Sequence, residues 1–174
     1  MVRDILVWPH PVLKQVASCV GEVSEPTRAL VRDMFDTMYA AGGVGLAAPQ
    51  VGVLERVVVL DTTCRQPESR ALVLINPVIV AAEGEVTSTE ACLSIPDEAE
   101  DVRRAARVTV RFLDVDGLVQ VLVCDGLLAI AVQHELDHLD GVVYVDHVSM
   151  LKRGLIRRRM KRRNRGAPEQ RISA

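Results

Sequence analysis

Gln133-His134-Glu135-Leu136-Asp137-His138 ends an apolar run that starts at Leu127 and stops before Gly141. On an α-helix, residues four apart lie one above the other on the same face. A helix over 127–139 therefore lets His134 and His138 grip one cation between them. Glu135 sits beside the first of these histidines, where its carboxylate can reach a water on that cation and act as a general base. This HExxH pattern is one that metal hydrolases use. Two histidines and a carboxylate scattered along a helix by chance would spell the same letters, so the rest of the chain must supply what the motif lacks.

Working outward, Asp125-Gly126 opens the motif helix. Ahead of it, 106–115 and 118–123 alternate apolar and polar residues around Asp116-Gly117, a hairpin signal. Residues 56–60, 72–75 and 78–82 read as short strands, the last two separated by Asn76-Pro77, with a polar loop over 62–70. Residues 24–41 read as a helix: Ser24 can cap it, Glu25 and Pro26 suit its first turn, and Gly42-Gly43 ends it. Its buried stripe is Leu30, Val31, Met34, Phe35 and Met38. After Gly141, residues 142–145 predict a last short strand, and Ser149 caps a final helix through about 163. Near the start, Pro9 and Pro11 bracket His10 in an extended turn, where a lone histidine reads as a surface residue before it reads as a ligand. Strands in the middle and helices at both ends predict an α+β fold. Mostly antiparallel short strands surround a central HExxH helix, with a helix at the C-terminal end.

With 174 residues the chain can bury one full core, and 49% hydrophobic content with only 3% aromatic makes that core aliphatic. The net charge of −2 hides an asymmetry: residues 152–165 carry nine Lys and Arg and no acid. A catalytic domain over 1–150 is expected, followed by a basic helix and tail over 151–174. Such a tail on an acidic body suits an anionic partner, although a charge run is also simply a solvated helix face. Cys19, Cys64, Cys92 and Cys124 form no CxxC pair. With no leader pattern in Met1-Val2-Arg3-Asp4 and no apolar run of membrane-spanning length, a cytoplasmic protein with free thiols is expected, and no membrane partner.

A catalytic metal site needs a third protein ligand and an open position for water. In one HExxH pattern a third His follows past a Gly. Here Gly141 is in place, but Tyr144 stands where that His should be, and His147 is off register. Asp140 and Asp146 read as a helix end and a turn. Cys92 is the better candidate: in Glu90-Ala91-Cys92-Leu93-Ser94-Ile95-Pro96 it is placed in a bend between polar residues, whereas Cys64 lies in a polar loop. A small buried hydrophobe is the alternative reading of Cys92. Gly43-Val44-Gly45-Leu46-Ala47-Ala48-Pro49-Gln50 is dense in small residues, which lets backbone run close to another chain or a ligand. Gln50 is the polar member of that run. Leu127, Ile130 and Ala131 share the His134 face of the helix and can wall an apolar slot; core packing accounts for them equally well.

GVGLAAPQ over 43–50, EACLS over 90–94 and QHELDH over 133–138 resemble, in order and spacing, the three signature motifs of the peptide deformylases. Ile5-Leu6 leading into Pro9-His10-Pro11-Val12-Leu13, and Asp125 to Ile130, are similar to that family too, so the likeness covers roughly 5–155. The resemblance implies removal of the formyl group from the N-terminal formylmethionine of nascent polypeptides, with release of formate. By motif match Cys92, His134 and His138 would hold one divalent metal, Fe2+ in the cell, with Zn2+, Ni2+ or Co2+ able to take its place. Glu135 would be the general base, and the Gln50 amide and Leu93 N–H would stabilise the oxyanion. Gly43, Val44 and Gly45 would pair by backbone with the substrate as an added strand. Some members dock on the ribosome through a basic terminal helix, which makes ribosomal RNA the implied partner of the tail.

The chain departs from the family at Ala91, where a Gly is usual, and at Ala99, where some members carry an Arg facing substrate. If position 91 requires a positive φ, a Cβ there is strained; if not, Ala91 narrows the cleft. These departures keep two alternatives open. One is an amidase acting on another formylated or acylated substrate; the other is a ribosome-associated homologue without turnover.

Overall fold

The computed structural model describes residues 1–63 and 71–164. Cys64, most of the loop expected over 62–70, and the end of the basic run at Arg165 lie outside the described residues.

The central layer is an antiparallel sheet of β1 (Gly45–Ala47), β2 (Val57–Leu60), β3 (Leu72–Glu83), β6 (Arg107–Leu113) and β7 (Val119–Asp125), in the order β1-β2-β3-β6-β7. A separate two-stranded hairpin is made by β4 (Val86–Cys92) and β5 (Ile95–Arg104). Helix α1 (Glu25–Ala40) covers one face of the sheet, and α2 (Gly126–Leu139) covers the other. This explains why β2 is apolar at every position. Val58 and Leu60 pack with Ala129, Val132 and Leu136 of α2, while Val57 and Val59 pack with Leu30, Val31, Met34 and Met38 of α1. A third cluster joins Leu6, Trp8 and Leu13 to Cys92, Ile95 and Val102 of the hairpin and to Ile156 and Met160 of α3 (Met150–Asn164). The fold is thus α+β with mostly antiparallel strands, a central HExxH helix and a helix at the C-terminal end of the described chain.

Three local expectations change. The strands expected over 72–75 and 78–82 are one continuous strand, β3, because Asn76 takes a positive φ of 50° and the register shifts between Ile75 and Val78. The Asn76 amide also donates to the Val20 carbonyl and accepts from the Val20 N–H, both at 2.8 Å, so the kink is held from outside the sheet. The strand expected over 142–145 is instead a 3₁₀ turn, Tyr144–Asp146; Val143, Tyr144 and Val145 are apolar because they are buried, not because they pair. The bend expected at Cys92 is the last position of β4, with a register shift between Ala91 and Cys92 before the turn at Leu93-Ser94. The β6–β7 hairpin forms as expected, with Val119, Val121 and Val123 facing solvent at 66%, 62% and 58% exposure.

The basic helix has acidic partners within its own chain. Lys152, Arg159 and Arg163 pair with Glu100, Glu98 and Asp97 of β5, and Arg153 pairs with Asp146. Arg157, Arg158, Lys161 and Arg162 are exposed and make no ion pair among the described residues.

Candidate metal centre and cleft

Three segments far apart in the chain meet at the floor of one cleft of about 580 Å³. The end of β4 brings Cys92; α2 brings His134, Glu135 and His138; the 3₁₀ turn Ala48–Val51 after β1 brings Gln50. The ligand atoms of Cys92, His134 and His138 all lie within 4.8 Å of one another, and all three residues are buried. Cys92 Sγ is 3.2 Å from His138 Nε2, and the two imidazole centroids are 5.2 Å apart.

Gln50 and His134 are held from behind. Gln50 is 1% exposed; its Oε1 accepts from the Ala47 N–H at 2.8 Å, which aims Nε2 at Cys92 Sγ (3.5 Å) and Ser94 Oγ (3.2 Å). His134 Nδ1 is 2.7 Å from Glu90 Oε2, leaving Nε2 as its other nitrogen. Arg104 grips Glu90 through Nε and Nη2 at 2.7 and 3.0 Å and reaches Asp137 through Nη1 at 2.7 Å. His147 meets Asp137 at 2.7 Å, closing the network toward solvent. Burial alone would raise the Glu90 carboxyl, but the Arg104 guanidinium and the His134 ring hold it down at about 2. Burial pushes the Glu135 carboxyl up to about 7 and pushes the His138 ring well below its ordinary value, keeping that imidazole neutral.

The small-residue run has a local reason. A Cβ on Gly45 would stand 2.4 Å from Glu135 Oε1, and one on Gly43 would stand 2.7 Å from Leu93 Cδ1. What the backbone approaches so closely is the chain's own base and its own Leu93. Ala91 is not among the residues with positive φ; it pairs with Ala99 across β4–β5, and both line the cleft. The strained reading of that position is therefore excluded and the narrowed cleft remains. Gly43, Val44, Leu93, Leu127, Ile130 and Ala131 line the cleft as well. Ala131 belongs both to the cleft wall and to the core under the sheet, so one helix face serves both. His10 lies apart, its Nδ1 accepting from the Val12 N–H at 3.3 Å to cap a 3₁₀ turn.

Sequence reasoning missed the supporting groups Glu90, Arg104, Asp137, His147 and Tyr144. Glu90 and Asp137 lie inside the quoted motifs, but nothing in a one-dimensional pattern pairs them with Arg104. Tyr144, excluded as a ligand, stacks on His134 with centroids 6.2 Å apart, and its buried hydroxyl has no hydrogen-bond partner among the described residues.

The donor set suits a cation. A thiol sulfur and two imidazole nitrogens are borderline-soft donors, three in number, which leaves a fourth position open. A buried His138 Nε2 beside a cysteine sulfur, with Glu135 Oε2 lacking a hydrogen-bond partner among the described residues, is an arrangement that a cation and a water would satisfy.

The family model for polypeptide deformylase matches residues 2–154. A peptide deformylase from Alkalilimnicola ehrlichii is 51% identical over 164 residues, covering 92% of this chain and 90% of that one. The crystal structure of a peptide deformylase from Legionella pneumophila superposes with a TM-score of 0.89 at 43% identity, covering 95% of this chain and 96% of that one. A class I type b peptide deformylase from Acinetobacter baumannii, whose crystal structure holds Met-Ala-Ser, gives 0.79 at 34% identity, covering 85% and 99%.

Proposed function

This chain belongs to the polypeptide deformylase family of hydrolases, and we propose from that premise that it removes the formyl group from the N-terminal formylmethionine of newly made polypeptides, releasing formate. The observation that carries this reading is the convergence of three buried ligand atoms within 4.8 Å beside Glu135 and Gln50, at the floor of a cleft. Met-Ala-Ser bound in the Acinetobacter baumannii relative supports a methionyl peptide as the substrate skeleton.

Cys92, His134 and His138 would hold one divalent cation, iron(II) in the cell, with zinc, nickel or cobalt compatible with the same donors. When bound, the cation supplies a Lewis acid that polarises the formyl oxygen and acidifies a water. Glu135, buried and held near neutrality, takes the proton from the attacking water and returns it to the departing amine as the C–N bond breaks. The Gln50 Nε2 and the Leu93 backbone N–H donate to the charge developing on the formyl oxygen. Gly43, Val44 and Gly45 offer backbone to the peptide at the free edge of β1. Leu127, Ile130 and Ala131 form the wall against which an unbranched methionine packs, with Ala91 across the cleft. Backbone pairing ignores side chains, which fits a substrate class as broad as all nascent chains.

Cation-loaded protein should release formate from formyl-Met-Ala-Ser. Glu135→Ala should keep its cation and lose about 10²–10⁴ in kcat. Loaded wild-type protein giving no formate would defeat the reading.

In this scheme residues 1–150 form the catalytic body, acting in the cytoplasm, and 151–174 a basic appendage; among the described residues no helix is long and apolar enough to cross a membrane. The exposed Arg157, Arg158, Lys161 and Arg162, which lack ion partners among the described residues, support contact with ribosomal RNA phosphates. Truncation at Gly154 should abolish co-sedimentation with ribosomes; unchanged co-sedimentation removes the contact.

A further inference from the structure

The walls of the cleft are charged on one side only. Among the described residues no lysine or arginine lines it, while Asp97 and Glu98 lie at its rim on β5. Its other carboxylates, Glu90 and Glu135, are buried at the floor, Glu90 against Arg104 and His134. The two rim acids differ. The Glu98 side chain is only 13% exposed and is gripped by Arg159 through both its oxygens. The Asp97 side chain is 79% exposed, and Arg163, its one ion partner among the described residues, is itself 53% exposed. Ala99 and Ala91, the neighbours of Asp97 on the same wall, are short, exposed and uncharged.

We infer that Asp97 makes the cleft prefer peptides that carry a cationic side chain just after the formylmethionine. The inference rests on the deformylase reading and refines its substrate class. A peptide lying along the free edge of β1 presents its second and third side chains to a cleft in which, among the described residues, the exposed charged group is the Asp97 carboxylate. Attraction of a lysine and repulsion of a glutamate act together there. An exposed charge pair of this kind is worth about two- to fivefold in kcat/KM, and salt screens it. Arg163 shares the same carboxylate and so competes with a cationic substrate. The basic helix thereby tempers the preference from outside the cleft.

The test compares kcat/KM of the cation-loaded full chain on formyl-Met-Lys-Ser, formyl-Met-Ala-Ser and formyl-Met-Glu-Ser, at about 0.02 M and about 1 M salt. The expected order at low salt is Lys, Ala, Glu, with a Lys-to-Glu ratio of about five or more that collapses toward one at high salt. Asp97→Asn should bring the low-salt ratio toward one, Asp97→Lys should invert it, and Arg163→Ala should widen it. Each ratio is taken within one protein sample, so a loss of folded enzyme cancels. Turnover of all three peptides at equal kcat/KM, or a ratio that Asp97→Asn leaves unchanged, overturns the inference and leaves the deformylase reading standing. No turnover of any peptide removes both.

Discussion

Glu90 Oε2 lies 2.7 Å from Nδ1 of His134, and this contact decides which ring nitrogen remains for a cation. Carboxylates in this position fix the tautomer and orientation of a ligating imidazole and raise its basicity. Glu90→Gln should therefore weaken cation affinity by about 10–100-fold while the fold persists, as read by competition with a chelator of known affinity. Unchanged affinity would mean that the contact is packing only.

Arg104 is what keeps that carboxylate ionised in a buried place. The Glu90 carboxyl titrates at about 2 in the folded protein against 4.5 ordinarily, so its folded value is depressed. A depressed acid contributes stability that is fully present above its unfolded pKa and is lost as pH falls through the folded one. Denaturant unfolding of the cation-stripped protein should accordingly show a loss of stability between about pH 4.5 and pH 2. Arg104→Met, which strands a buried charge, should cost about 3–5 kcal/mol at pH 7 and move the acid loss to higher pH. A variant with the wild-type pH profile contradicts this account of the pair.

Gly45→Ala should be folded but nearly inactive. Its new Cβ would meet Glu135 Oε1 at 2.4 Å and Leu60 Cδ2 at 2.9 Å, so the base must move. A misplacement of about 1 Å commonly costs about 100-fold in rate. The expected signature is a lower kcat on formyl-Met-Ala-Ser with cation content intact; wild-type kcat would show that the carboxylate has room to spare.

Tyr144 carries a buried hydroxyl with no partner among the described residues, and burial pushes its pKa well above the ordinary tyrosine value. An unsatisfied buried polar group costs about 1–3 kcal/mol, so Tyr144→Phe should stabilise the protein by about 1 kcal/mol and leave the ring stacked on His134. A destabilised variant would reveal a partner for the hydroxyl, most simply a buried water.

The last helix is held more by apolar contact than by charge. Met160 is buried at 1% exposure, whereas Arg159 is exposed. Met160→Ala should cost about 2–5 kcal/mol in a thermal or denaturant melt, and Arg159→Ala less than about 1 kcal/mol. Equal effects would assign the docking to the ion pairs.

The legible parts of the molecule were those in which one face is dry and one face wet. Helix α1 announced itself by Leu30, Val31, Met34 and Met38, and α2 by its motif and its apolar run. The β4–β5 hairpin was hidden because Asp97, Glu98, Glu100 and Asp101 look like a solvated acidic run. Its inner acids are in fact neutralised by Lys152 and Arg159, which arrive from more than 50 residues away. The valines Val119, Val121 and Val123 of β7 face solvent because α2 packs on the other face of that strand, against Leu122 and Cys124. Arg104 was invisible for a similar reason: its carboxylate partners Glu90 and Asp137 are 14 and 33 residues distant, and no local spacing joins them.

Cys92 and His138 stand 46 positions apart along the backbone yet touch. An ion gripped between them would be a cross-link as much as a reagent, closing a long loop that is entropically open in the unfolded chain. Capture of the ion and completion of the fold then reinforce one another by mass action. A chelator strong enough to silence the chemistry should also lower the melting temperature, so resilience and turnover would be drawn from a single bound atom.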